Sequence, residues 1–120
     1  MMTNMMSLIW ADFADGDVQV HSEMLNVTFG KRAEIRCTTT SEHDVEWEFM
    51  REGASDKLTI CSERQVTDEF VGKYECHKDG RNHTLVIVSV GFDHAGNYTC
   101  IESAGHSTNS ATARLVVSSK

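Results

Sequence analysis

The sequence predicts an all-β domain, and three observations carry that prediction. Short segments alternate apolar and polar residues with the period of two that a half-buried strand requires. No window shows the 3.6-residue period of a helix, and there is no internal repeat, no proline and no low-complexity tract. The third is the stretch Asp93-His94-Ala95-Gly96-Asn97-Tyr98-Thr99-Cys100. Its glycine permits a sharp turn, and an extended chain puts Tyr98 and Cys100 on the same side, so ring and sulfur share one buried face.

The 120 residues suffice for one domain with a real core. Residues 17–120 are assigned to that domain, and Met1 to Gly16 to a disordered leader or expression remnant outside it. The short apolar piece Met5 to Ala11 lacks a basic flank and makes a poor signal peptide. Eighteen acids against eleven bases give a net charge of -7, which opposes binding to phosphate backbones or heparin-like polymers. No apolar run approaches the roughly 18 residues that cross a membrane.

Along the chain, Asp17 to His21 alternates as a first edge strand, and Met24 to Phe29 continues it until Gly30. Lys31 to Thr40 alternates cleanly, with Ala33, Ile35 and Cys37 on one side and Glu34, Arg36 and Thr38 on the other. The polar run Thr38 to His43 is a loop. Asp44 to Arg51 places Val45, Trp47 and Phe49 inward and Asp44, Glu46, Glu48 and Met50 outward. Glu52 to Asp56 is a turn by composition, followed by a short strand at Lys57 to Cys61. Ser62 to Val71 is polar and poorly patterned. Lys73 to His77 alternates again, and Asp79-Gly80 signals a turn. His83 to Val88 is the next strand, with Leu85, Ile87 and Val90 inward and Val86 and Val88 outward. After the strand through Cys100, Gly105 to Asn109 is a loop. Ser110 to Val117 closes the domain, with Ala113, Leu115 and Val117 on one face.

The stretch from Asp93 to Cys100 resembles the corner and F strand of an immunoglobulin domain. Cys37 and Trp47 lie upstream in the order Cys…Trp…Cys of that family, with Trp47 ten residues after Cys37. The resemblance covers roughly Asp17 to Ser118. It implies a Greek-key β-sandwich of two antiparallel sheets, A-B-E-D and G-F-C-C′, with a Cys37–Cys100 bridge across them and the Trp47 indole against it. It also implies a corner role for Tyr98, a core role for Leu85, and an ion pair between Lys73 and Asp93, with lysine in place of the more usual arginine and so without a bidentate fork. The long interval between the two cysteines leaves room for C′, D and a short C″ strand, so the domain is similar to the V-set, with the I-set as runner-up. The F-G-x-G joining motif of antigen-receptor variable domains is absent, so pairing of the antibody kind finds no support. The proline-rich approach to strand C, frequent in intracellular muscle modules, is also missing.

Cys61 and Cys76 remain. No cysteines are spaced C-x-x-C, which opposes a zinc knuckle. A Cys61–Cys76 pair would tie C′ to D, a bridge comparable to the extra one in the CD28/CTLA-4 group of receptors. Two free buried thiols in a reduced module are the alternative. The six histidines are read as solvent-facing; His77 and His83 flank Cys76 but strand parity spreads them, so no metal site is assigned. No serine or cysteine sits in a nucleophile frame with histidine, so no catalytic residue and no cofactor are assigned.

Three tripeptides fit the glycosylation acceptor pattern, at Asn26, Asn82 and Asn97. With the even cysteine count they favour an extracellular address. The resemblance therefore implies a non-enzymatic recognition or adhesion module, a V-like domain of a secreted or cell-surface, immune-type receptor. The partner would be a protein, or a second copy of the chain, engaged through the G-F-C-C′ face or the end loops. Candidate contact residues on that face are Glu46, Glu48, Met50, Ile101, Arg114 and Val116, with Met50, Ile101 and Val116 as an apolar centre. A glycan on Asn97 would confine binding to the F–G end. The alternative is a structural I-set spacer in an intracellular filament protein.

Overall fold

A computed structural model describes residues 18–104 and 107–120. The expectation for Met1 to Gly16 lies outside the described residues. Among the described residues ten strands form two sheets: β1 (Gln19–Val20), β2 (Met24–Thr28), β3 (Ala33–Thr38), β4 (Val45–Arg51), β5 (Leu58–Ser62), β6 (Gln65–Val66), β7 (Tyr74–Asp79), β8 (Asn82–Ile87), β9 (Gly96–Ala104) and β10 (Ser107–Ser118). Single 3-10 turns occupy Asp68–Phe70 and Phe92–His94.

The four-stranded sheet runs β1-β3-β8-β7, the expected A-B-E-D order. The other runs β2-β10-β9-β4-β5-β6 and is larger than expected. Strand β2 leaves the first sheet and pairs in parallel with β10, Asn26 opposite Val116 and Thr28 opposite Ser118. Strand β6 supplies the short C″ by pairing Ser62 with Gln65. The turn between them is Glu63-Arg64, both left-handed at φ 52° and 67°. A two-residue hairpin needs that conformation, and Asn-Gly adopts it at much less cost.

The alternation read from sequence becomes the core. Ala33, Ile35 and Cys37 from β3, Val45, Trp47 and Phe49 from β4, Leu85 and Ile87 from β8, and Tyr98 and Cys100 from β9 share one buried cluster with Ala113 and Leu115. Cys37–Cys100 bridges the sheets with Cα atoms 6.5 Å apart, and Trp47 lies opposite Cys100 in register. Cys61–Cys76 forms a second bridge between sheets, from β5 to β7, with Cα atoms 6.6 Å apart. By the chain-entropy account these loops, with separations of 63 and 15 residues, stabilise by about 4 and about 3 kcal/mol. The free-thiol alternative is thereby set aside.

The tyrosine corner closes as expected: the Tyr98 hydroxyl donates to the His94 carbonyl at 2.8 Å. Its ring stacks on Phe49 with centroids 4.4 Å apart, and burial pushes its phenol far above the ordinary value. Gly96 does more than turn. It begins β9 at φ 150°, and a Cβ there would lie 2.3 Å from the Met50 carbonyl oxygen, so two backbones meet where a side chain has no room.

Four expectations are corrected. Lys73 and Asp93 form no ion pair among the described residues. Lys73 is exposed and precedes β7, and Asp93 Oδ1 instead faces His94 Nδ1 at 3.6 Å. A lysine lacks the planar fork of arginine, and its attraction to a largely exposed carboxylate is weak. Val86 points outward but is only 1 % exposed; it lies on an inner strand, flanked in register by Glu34 and Glu75, and long charged side chains in such positions can cover apolar surface. His83 is buried, with Nε2 3.0 Å from the Thr39 hydroxyl; its parity is that of Leu85 and Ile87. Of the expected loop Gly105 to Asn109, the first two residues lie outside the described residues and the rest is strand, since Thr108 pairs with Ser103 and Asn109 with Glu102.

Candidate functional site

The outer face of the six-stranded sheet is ordered by register into rows. Glu46 of β4, Ile101 of β9 and Ser110 of β10 form one row near the upper end. Glu48, Thr99 and Thr112 follow, then Met50, Asn97 and Arg114, the last opposite Met24 of β2. Val116 beside Asn26 comes next. All are there because alternation on each strand gives their neighbours to the core: Trp47, Phe49, Tyr98, Cys100, Ala113 and Leu115 point the other way.

The structure therefore brings the six candidate contact residues onto one face but not into one cluster. Ile101 and Met50 are two rows apart, about 13 Å along the strands, with Glu48, Thr99 and Thr112 between them. The expected apolar centre of Met50, Ile101 and Val116 is corrected on this point. The middle row is polar and tied across strands, the Thr99 and Thr112 hydroxyls lying 2.9 Å apart.

The upper half is acidic. Glu46 and Glu48 sit two residues apart on the same side of β4, and β4 meets Thr59 of β5 there, whose hydroxyl donates to Glu46 Oε2 at 3.3 Å. Burial, and then the Glu48 carboxylate, holds the Glu46 carboxyl above the usual range, with the Thr59 hydroxyl offsetting part of it. Beside them a cleft of about 320 Å³ is lined by His43, Asp44, Glu46, Glu63, Ile101 and Ser103, among others. Asp44 is engaged by Arg64 at 3.5 Å; Glu46 and Glu63 have no basic partner among the described ion pairs. Ile101 beside these carboxylates suits a cationic side chain with an aliphatic stem.

The lower half differs. Arg114 donates to Glu52 at 3.3 Å, an exposed pair worth under about 1 kcal/mol. Met24 is 62 % exposed. Asn26 and Asn97 are both exposed here, whereas Asn82 opens onto the other sheet, where its amide oxygen accepts from the Thr38 hydroxyl at 3.3 Å.

Glu102 was missed by sequence reasoning. It is fully buried at the loop end of β9 and accepts four hydrogen bonds, from the backbone N–H and the hydroxyl of both Thr40 and Ser41. Desolvation pushes its carboxyl upward, but the bonds from Ser41 and Thr40 outweigh that and hold it below the usual range. The signal was available: Glu102 is two residues beyond Cys100, so strand parity turns it inward. It fixes the loop after β3 against β9 and so shapes the rim of the acidic cleft. At the opposite pole Phe29 and Phe92 pair with centroids 4.8 Å apart while 37 % and 56 % exposed.

Among the described residues no group of three or more His, Cys, Asp and Glu side chains could hold a metal ion. His77 bonds to Glu75 on the outer surface while His83 points into the core. No described helix is long and apolar enough to cross a membrane.

A comparison with curated proteins found no match. Among known families, the immunoglobulin V-set domain matches residues 19–118, from β1 through the last residue of β10. That match, two inter-sheet disulfides and the tyrosine corner agree, and the chain belongs to the immunoglobulin V-set family.

Proposed function

We propose that this domain is an extracellular, non-enzymatic recognition module that binds a basic protein partner through the upper half of its six-stranded sheet. The observation that carries the reading is the Glu46–Glu48 pair beside Ile101 and the acidic cleft. Two like charges held together on an outward face raise one another's cost, and a cation delivered by a partner relieves it. V-set domains serve as recognition modules, and the two disulfides fit an oxidising compartment. The partner is a different protein rather than a second copy. A two-fold contact over this half would bring Glu46 and Glu48 toward their own equivalents, and the net charge of -7 adds to the repulsion.

The test has two arms. Intact mass of the secreted full chain, with and without reductant, reads the compartment: the reduced form gains the hydrogens of two bridges. Four thiols in the unreduced protein refute the extracellular reading. For the face, the tetramerised domain is screened against a panel of purified cell-surface ectodomains. Binding should fall at least tenfold in Glu48→Lys and Ile101→Asp and weaken with salt. A partner indifferent to both variants refutes the assignment. Sedimentation should show a monomer; a dimer broken by Ile101→Asp would replace the heterologous partner with a second copy.

A further inference from the structure

Asn26 and Asn97 are 71 positions apart in sequence, yet the parallel pairing of β2 with β10 brings them onto one face. Asn97 lies opposite Arg114 on one side of β10, and Asn26 lies opposite Val116 on the other. Two strand spacings and a two-residue offset put their Cα atoms about 12 Å apart. Both side chains are exposed. The Asn26 amide oxygen accepts from the Ser118 hydroxyl at 3.2 Å, and among the described residues its nitrogen has no partner. In each acceptor tripeptide the threonine follows by two residues in a strand, so Thr28 and Thr99 project from the same face as their asparagines.

We propose that Asn26 and Asn97 both carry N-linked glycans, and that the two sugars cover the lower half of the six-stranded sheet and leave only the upper half open to protein. The inference rests on the extracellular reading above. In the transfer, the asparagine Nδ2 bonds to the anomeric carbon of a lipid-linked oligosaccharide, loses a proton, and the carbon–oxygen bond to the lipid pyrophosphate breaks. Met24, Met50, Arg114 and Val116 lie between or beside the two attachment points. Ile101 lies four residues up β9 from Asn97, about 13 Å away, and Glu46 is its register partner. The polar, cross-bonded row of Thr99 and Thr112 marks the boundary. Two glycans on either side of a single strand exclude a flat face-to-face contact across the whole surface.

The test uses the full chain secreted from a eukaryotic host. Enzymatic glycan release leaves aspartate at each occupied asparagine, and peptide mapping should find it at 26 and 97; Asn97→Gln and Thr99→Ala should each remove one glycan. Hydroxyl-radical oxidation of the intact glycoprotein, before and after release, should rise severalfold at Met24 and Met50 and stay unchanged at Ile101. Secreted, disulfide-bonded protein bare at either asparagine overturns the inference and leaves the extracellular reading standing. Equal methionine oxidation before and after release overturns the shielding. A chain retained in the cell with free thiols overturns the extracellular reading and the inference together.

Discussion

Replacing Glu102 tests whether one buried carboxylate holds the loop end of the domain together. Its oxygens accept from Thr40 N at 3.2 Å, Thr40 Oγ1 at 2.8 Å, Ser41 N at 3.0 Å and the Ser41 hydroxyl. In Glu102→Ala the two hydroxyls can rotate to water, because Thr40 and Ser41 are only partly buried. The two backbone N–H groups cannot rotate. At about 1.5 kcal/mol for each lost bond to a charged acceptor, the expected loss is about 3 kcal/mol, or roughly 15 °C in Tm for a domain of this size. Glu102→Gln keeps one oxygen and turns an amino group toward two donors, so it should lose about half as much. Urea unfolding with disulfides intact measures both, read as a fall in midpoint at constant slope. The pH dependence gives a second reading. A carboxyl held below 4.5 in the fold contributes stability that is fully present above that value and lost as pH falls through the folded pKa. Glu102→Gln should flatten the acid limb. Buried His83 acts in a different window. Burial, then the Lys78 charge, holds its imidazole below 6.5. Its contribution is complete above that pH and is lost as pH falls toward the folded pKa. A loss under about 1 kcal/mol in Glu102→Ala, with the acid limb unchanged, would refute the account of this loop.

Three further outcomes follow from the fold. Gly96→Ala would set a Cβ 2.3 Å from the Met50 carbonyl oxygen and 2.9 Å from Glu52 N; overpacking against backbone should cost about 3 kcal/mol or more, measured by denaturant unfolding. Replacing Cys61 and Cys76 together by serine should cost up to about 3 kcal/mol while Cys37–Cys100 still forms, as thermal unfolding and a disulfide map would show. Glu63→Asn with Arg64→Gly relieves two left-handed residues at φ 52° and 67° and should stabilise by about 1 kcal/mol, reduced by loss of the exposed Arg64–Asp44 pair; hydrogen exchange at β5 and β6 should slow.

Local pattern determined much of this protein. A side-chain period of two assigns Ala33, Ile35, Cys37, Val45, Trp47 and Phe49 to the interior before any neighbour is known, because burying one face of a sheet leaves no other register. The spacing of Tyr98 and Cys100 identified the corner in the same way. Elements without an apolar rhythm could not be placed by pattern, and the short C″ was expected only from the length of the interval between the cysteines. Strand β6 follows a turn built from Glu63 and Arg64 rather than asparagine and glycine, and the start of β10 is all small and polar. Such residues become strand only because a partner edge offers hydrogen bonds. Partnership across sheets was equally beyond the sequence. Only the tertiary structure moved β2 onto β10, set Asn26 beside Asn97, split Met50 from Ile101 by a polar row, and gave Glu102 its four donors from a loop some sixty residues away. Strand parity is local and every residue obeys it, whereas strand order and loop docking depend on which distant edges and polar groups remain unsatisfied once the chain has folded.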